Sequence, residues 1–598
     1  MIQRDLKGKS IEDALIWEPE EGVRLQPFYR QEDFDAPPSP LSVPGDWAVV
    51  QAISGDSPQA ARQHVSTALK GGADTLYFSG TVHPDSVEGL PALDPEAWKE
   101  LLEDTTANIL LRLRDTEARA TEYLLGALRS AAAASSLSLL ADPIAAWTSA
   151  GSGDVERGIT RLLDLVKSSD DTDERLLGVD LATAQEAGAS HAQTIGVALA
   201  TLSEYLARGT DHGLTPDKVA SHLHLLLPVG TSYFLAIAQT RALRILIPQV
   251  LSAYEAPEAV PPITAETSLR MFTAYSPYTN MLRGTTSAAA AIIGGCDALI
   301  VRPFDALHSS AEDMGARVAR NTQLILKHEV YLNHVADPAA GSYYIEEMTR
   351  QISRAAWSLF QKIESEGGLL EAYREGVIQQ DVTDHAKKAA DEVRERDRVL
   401  VGATHYPDVE ESRLTEMRHA RGGRMDLPSD IPASSNNLDP VERMERTRLS
   451  EEVEAIRLAT ERYAESIGDR PLAYLLPVGR RGIRSARATF ARNFIGCGGF
   501  SIEEPVGFST LSEAYSDLRD IRPDLVVLCS SDDAYADLTP ELRSFLSDEG
   551  LDAAIVVAGY PKDQVQALKS SGVSAFVHLN ANLPETLLQL QQLAGISQ

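Results

Sequence analysis

Cysteine is nearly absent from this chain. Three occur in 598 residues, Cys296, Cys497 and Cys529, far apart and in apolar or Gly-rich surroundings. That excludes a disulfide framework and offers no metal-ligand spacing, so small buried side chains in a reducing cytoplasm are expected. Long apolar runs are also missing. No stretch approaches the roughly 20 consecutive apolar residues of a membrane span, and the opening MIQRDLKGKSIEDALIWEPEEG lacks the apolar centre of a signal peptide. Basic residues fall far short of acidic ones: 55 Lys and Arg against 86 Asp and Glu give a formal charge of −31 and a pI near 4.8. Such a charge repels a phosphate backbone, which argues against general nucleic-acid binding; it fits either a basic partner or a salt-rich cytoplasm. No Walker loop, G-x-S-x-G elbow or zinc motif occurs.

What is present is apolar content of 43%, ample for globular packing, in a chain too long for one core. Residues 1–44 form a Pro-dotted arm in which Pro19, Pro27, Pro37, Pro38, Pro40 and Pro44 prevent long helices, and Trp17, Phe28 and Tyr29 interrupt the polarity. Such an arm packs either across a neighbouring chain or around its own domain. From 45 to 345, apolar strands alternate with helical stretches: Trp47–Ala52, Thr75–Phe78, Ile109–Leu113, Ser138–Ala141, Leu176–Val179, His222–Leu227, Leu269–Ala274 and Ala298–Val301. Eight such units predict a closed parallel (β/α)8 TIM barrel. Residues 346–469 read as a helical region and linker, aperiodic over 408–440 and helical again from Val441 to Ser466. From 470 to 598, AYLLPV, DLVVLCS, AAIVVAG and AFVHL are buried-strand patterns, each followed by a helical run. They predict an α/β, flavodoxin-like doubly wound domain.

Residues 278–344 include YTNMLRGTTSAAAAIIGGCDALIVRPFDAL and ARVARNTQLILKHEVYLNHVADPAAGSYY. This run resembles the methylmalonyl-CoA mutase family, enzymes that rearrange acyl-CoA carbon skeletons with adenosylcobalamin. The segment GVDLATAQEAGASHAQ also resembles the family's catalytic chains and keeps Gln185-Glu186-Ala187-Gly188-Ala189. Directly before it, Ala182 and Thr183 stand where catalytic chains carry Tyr and His. The resemblance implies that this His polarises the thioester carbonyl and the Tyr shields the radical pair; alanine and threonine supply neither function. Around the expected seventh strand, Phe272 replaces a His and Ala274 a Gln, and the following loop is about eight residues shorter than the family pattern. The family's early Pro-Thr-His-Arg-Gly-Tyr-Asp-Ser segment is missing too. Arg283, Asn321, Thr322, Asp337-Pro338 and Gly341-Ser342-Tyr343-Tyr344 persist and read as helix-capping and barrel-closing residues.

Cobalamin enzymes of this class place a protein His on cobalt, with a carboxylate behind the ring and a Gly where the cofactor's nucleotide tail passes. In PLAYLLPVGRRGIRSARATF the resemblance puts Pro477 at the usual Lys, Arg481 at Asp, Ile483 at His and Ala486 at Gly. The later tail-binding loops are replaced by Cys529-Ser530-Ser531-Asp532-Asp533 and Ala558-Gly559-Tyr560-Pro561. By contrast, AGYPKDQVQALKSSGVSAFVHLNANLPETL resembles this degenerate domain in the family's small subunits. The resemblance therefore implies a non-catalytic small subunit, with no catalytic, cofactor-binding or metal residues of its own. It would support a homologous large subunit that holds adenosylcobalamin and acyl-CoA and interconverts (R)-methylmalonyl-CoA and succinyl-CoA. The alternatives are a stand-alone pseudoenzyme that regulates or escorts a mutase, and a divergent active mutase.

Several histidines, glycines and arginines stand outside these motifs. His222 and His224, two apart on an expected strand, would share one side without a third ligand and read as core or interface residues. His328 and His334 read as structural, and Gly496-Cys497-Gly498-Gly499 as a helix-to-strand turn. Arg480, Arg481, Arg484, Arg487 and Arg492 read as a solvated helix face, with an anion or an acidic partner patch as the alternative.

Overall fold

A computed structural model describes residues 6, 10, 14–54, 58–81, 95–102, 105–131, 136–169, 174–308, 313–412 and 439–596. Parallel strands Ala48–Ala52, Thr75–Thr81, Asn108–Arg114, Leu137–Ala141, Leu223–Val229, Ile263–Thr267 and Ala298–Ile300 form one sheet with the pair Glu174–Arg175 and Leu177–Asp180. That pair lies on one stretch of chain. Its first part bonds to Leu137–Ala141 and its second to Leu223–Val229, so the nine-strand sheet begins and ends on the same segment and nearly closes as a barrel. Gly178 lies at the closure because a Cβ there would stand 2.7 Å from the Leu140 carbonyl carbon.

Seven of the eight expected barrel strands appear within a few residues of their expected bounds, but the seventh is corrected. The strand is Ile263–Thr267, and Leu269–Met271 is a single 3₁₀ turn after it. Thr264, Glu266 and Thr267 hid the strand from an apolar pattern; all three are buried, with Glu266 facing basic partners inside the barrel. His222 likewise precedes its strand, capping the helix Pro216–Ser221.

Described residues of the arm wrap their own barrel. Trp17–Glu20 and Val23–Leu25 form a hairpin, and the Glu20 carboxylate accepts from the backbone N–H groups of His191 and Ala192 at 3.0 Å, satisfying a helix N-terminus. The helix Tyr233–Ala253 has the length and composition of a membrane span, but most of it is buried, between the helices His191–Asp211, Pro277–Gly294 and Tyr343–Ser365. Its fully buried Arg241 binds Asp337 and Glu346, tying a later loop and the first turn of the helix Tyr343–Ser365 to the barrel wall.

The C-terminal sheet runs Ser501–Glu503, Leu472–Pro477, Leu525–Cys529, Ala554–Ala558, Val573–Val577, all parallel. In chain order this is 2-1-3-4-5, the flavodoxin-type arrangement. The edge strand Ser501–Glu503 escaped the sequence pattern because it is three residues long and carries no buried residue.

The helix expected from Val441 begins instead at Glu451. Residues 441–449 are held extended by backbone donors aimed at the barrel: Val441 to Gly151 O, Met444 to Thr148 O, Thr447 to Glu186 O and Leu449 to Arg270 O, at 2.9–3.1 Å. Those carbonyls all follow barrel strands, so the segment lies across the C-terminal mouth. Within the expected linker 408–440, residues 413–438 lie outside the described residues.

Candidate functional site

The C-terminal mouth is where a parallel barrel carries chemistry. Midway along this barrel, Val50, Tyr77, Leu110, Leu140, Leu226 and Ile300 meet across the axis as an apolar plug. Two residues further on lies a layer of charge. Arg112 Nε and Nη2 each donate to an oxygen of Asp180 at 2.7 Å, and Arg112 Nη1 lies 3.5 Å from Glu266. Arg302 pairs with the other Glu266 oxygen, and Arg114 Nε lies 3.8 Å from Asp180. Burial opposes the charge of Asp180, yet the Arg112 and Arg114 guanidiniums hold its carboxyl below the usual range. Nearer the N-terminal end, His224 Nε2 meets Thr264 Oγ1 at 2.7 Å, and burial beside Arg175 pushes the imidazole down to about 3. It is a neutral core histidine. Among the described residues, no group of three His, Cys, Asp or Glu is placed to hold a metal.

The positions matched to catalytic residues lie around this layer, sealed in protein. Ala182 and Thr183 open a six-residue helix and are buried; the Thr183 hydroxyl has only a long 3.5 Å contact to Ala145 O. Phe272 and Ala274 are completely buried in the loop after the seventh strand. Ala274 N donates to Glu454 Oε1 at 2.7 Å, its carbonyl meets His308 Nε2 at 2.8 Å, and Thr273 N donates to Asn280 Oδ1 at 3.1 Å. Arg283, retained from the family pattern, holds Thr273 Oγ1, Asn280 Oδ1 and Val401 O at 2.7–2.8 Å. The shortened loop thus packs down under residues 441–454 and is not open to a substrate.

Glu186 of the retained motif is buried at the same mouth, 3.2 Å from Arg446. Burial, with the nearby Glu266 carboxylate, pushes its carboxyl up to about 7. An acid with a raised folded-state pKa holds its proton while the unfolded chain has lost it, so it subtracts stability progressively from about pH 4.5 to 7. We expect Glu186→Gln to raise stability by up to about 3 kcal/mol at pH 8 and to change little at pH 4.5. Chemical denaturation at both pH values checks this; an equal effect at both would refute the assignment.

In the C-terminal domain, Arg481 opens the helix Arg481–Gly496 and Ile483 stands 38% exposed in its first turn. The crevice at the strand ends, where a flavodoxin-type sheet takes its ligand, is spanned by the protein's own bonds. Arg484 Nη1 donates to the carbonyls of Gly479 and Phe508, and Ser530 Oγ donates to Val478 O at 2.9 Å. The Tyr535 hydroxyl, wholly buried, lies 2.9 Å from Ser530 O and 2.7 Å from Ala558 O. Arg487 pairs with Asp532 at 2.8 Å and lies where a side chain on Gly559 would stand, 2.6 Å from that Cβ position. Arg492 reaches Glu504 at 3.4 Å. Three of the five clustered arginines are therefore bound within the domain, and Arg480 and Arg481 are exposed at the helix start. Cobalamin asks this edge for an imidazole lone pair and an open slot; Ile483 has no lone pair, and the slot is crossed by Arg484, Arg487 and Tyr535. The residues present do not fit that cofactor.

A nearly closed parallel barrel joined to a 2-1-3-4-5 sheet, with the mouth of one and the edge of the other filled by side chains, defines a two-part α/β protein of the cobalamin-mutase type. The chain belongs to the methylmalonyl-CoA mutase family. The profile of that family, described as methylmalonyl-CoA mutase, matches residues 175–456. The chain is 31% identical to the methylmalonyl-CoA mutase small subunit of Porphyromonas gingivalis, over 100% of this chain and 96% of the relative. It is 29% identical to the small subunit of Streptomyces virginiae, over 92% and 88%. It is also 34% identical to a methylmalonyl-CoA mutase of Escherichia coli, over 37% of this chain and 31% of that protein.

Proposed function

We propose that this chain is the supporting, non-catalytic subunit of an adenosylcobalamin-dependent methylmalonyl-CoA mutase. A homologous large subunit holds cofactor and acyl-CoA and interconverts (R)-methylmalonyl-CoA and succinyl-CoA, and the pair works in the cytoplasm. The reading is carried by the barrel mouth: Ala182, Thr183, Phe272 and Ala274, which stand at the family's catalytic positions, are all buried beneath the chain's own segments. An Arg112–Asp180–Glu266–Arg302 network fills the lumen below them. The small-subunit relatives matched over nearly the full chain support the same assignment. All three cysteines are free and buried, and burial pushes the Cys296 and Cys497 thiols up to about 12, which suits inert packing residues in a reducing compartment.

The experiment is to purify the chain alone and with its large partner, add adenosylcobalamin, and measure bound cofactor and methylmalonyl-CoA turnover. The pair is expected to elute one to one, bind cofactor and turn over, while the isolated chain does neither. Cofactor binding and turnover by the isolated chain would overturn the reading.

A further inference from the structure

The helices Pro277–Gly294 and Asp313–His328 lie side by side on the outside of the barrel. Their outward faces are unusual for so acidic a chain. Neither 267–296 nor 314–328 contains a single Asp or Glu, although 86 of the 598 residues are acidic. In their place stand Tyr278, Leu282, Met314 and Ile325, each 46–68% exposed, with Tyr331 and Val335 similarly exposed in the loop that follows. Tyr278 stacks on Phe304 at 5.5 Å at the mouth end, and at the other end Ile292, Leu332 and Val335 line one hollow, with Asp46 and Asp337 on its rim. An 18-residue helix is about 27 Å long, and two at about 10 Å spacing present roughly 500 Å²; with the loop this nears the about 800 Å² per partner of a stable interface.

We propose that this two-helix face is the surface on which the homologous large mutase subunit docks, an inference that rests on the supporting-subunit reading above. Two observations select that occupant. The family profile spans 175–456 and so includes both helices, which means that a homologous chain carries the same pair at the same place on its barrel. A pseudo-twofold axis can then bring the two faces together, each residue of one meeting its counterpart's neighbour on the other. The composition fits as well. A buried contact patch tolerates few unpaired charges, and here carboxylates are missing from the outward faces where the whole chain averages one acid in about seven residues.

The test is co-expression of the tagged large subunit with wild-type chain, with the Leu282→Glu, Ile325→Glu double variant, and with Leu579→Glu as a control. Leu579 is 76% exposed on the C-terminal domain, away from the face. Co-purification, binding affinity and the melting temperature of each small chain are measured. Because both substituted side chains point to solvent, the double variant is expected to melt like wild type yet pair at least about 30-fold more weakly, while the control pairs normally. A double variant that pairs as tightly as wild type, or a control that loses as much, removes the face as the docking surface and leaves the subunit reading intact. Wild-type chain that self-associates through this face and ignores the large subunit overturns the choice of occupant. Failure of wild-type pairing by any route overturns the subunit reading itself, and this inference with it.

Discussion

Asp180→Ala is expected to destabilise the barrel by about 3–5 kcal/mol, the cost of leaving a buried guanidinium without its partner. Arg112 is 2% exposed and spends two of its donors on this one carboxylate, with Glu266 a more distant 3.5 Å away. Arg114 leans on the same carboxylate, and Ala182 N donates to it at 3.1 Å. Removing Asp180 therefore strands two cations and a backbone donor in the barrel lumen. Replacing the pair by apolar residues, Arg112→Met with Asp180→Leu, is expected to cost less, because only the more distant Arg114 then loses its carboxylate while Glu266 keeps Arg302. Urea denaturation of the three proteins measures both effects. A single variant within 1 kcal/mol of wild type would show that water reaches the layer and that the lumen is not sealed.

The barrel was legible wherever a strand is apolar on both faces, as in Leu223–Val229, all of whose residues are buried. It was illegible where the lumen carries charge. Glu266 and Thr264 make the strand Ile263–Thr267 look like a loop, and only the positions of Arg112 and Arg302 in space explain why a carboxylate belongs there. That Ala182, Thr183 and Ile483 lack the groups the family resemblance implies at those positions is plain from the residue types alone. What replaces them is not. The contacts from 441–454 to the mouth span about 180 to nearly 300 residues of sequence and leave no local period. Arg484 and Arg487 read as a solvated helix face because a helix pattern cannot show that Gly479, Phe508 and Asp532 fold back to meet them.

Arg457→Ala is expected to have an effect of similar size and to uncouple the barrel from the C-terminal domain. Arg457 is 2% exposed on the helix Glu451–Ile467, and its guanidinium lies 4.1 Å from the ring centre of Tyr275, in the loop after the seventh barrel strand. Its Nη2 donates to Asp408 O and Glu411 O at 2.7 Å, and its Nε lies 3.6 Å from Glu461. Glu411 in turn accepts from Ser276 N at 2.8 Å, while Glu454 holds Ala274 N. One side chain thus joins the barrel loop, the first residues of the linker and the helix that carries Gln591 of the final helix on its Ile456 carbonyl. Truncation takes the nearest buried cation from Glu461, leaving Arg470 at 3.4 Å and Ser412 Oγ at 3.1 Å, removes the ring contact, and takes one donor each from the Asp408 and Glu411 carbonyls, a loss of about 3 kcal/mol. Arg457→Lys should recover only part of it, since an ammonium neither stacks as a plane on Tyr275 nor reaches both carbonyls in the same fork. Calorimetry is expected to split one unfolding transition into two, with proteolysis near 396–412 accelerated. A single transition with unchanged cleavage would mean that the two parts are held together elsewhere. If the chain serves its partner as a rigid support, the alanine variant should also weaken pairing without touching the two-helix face, because the support has lost its joint.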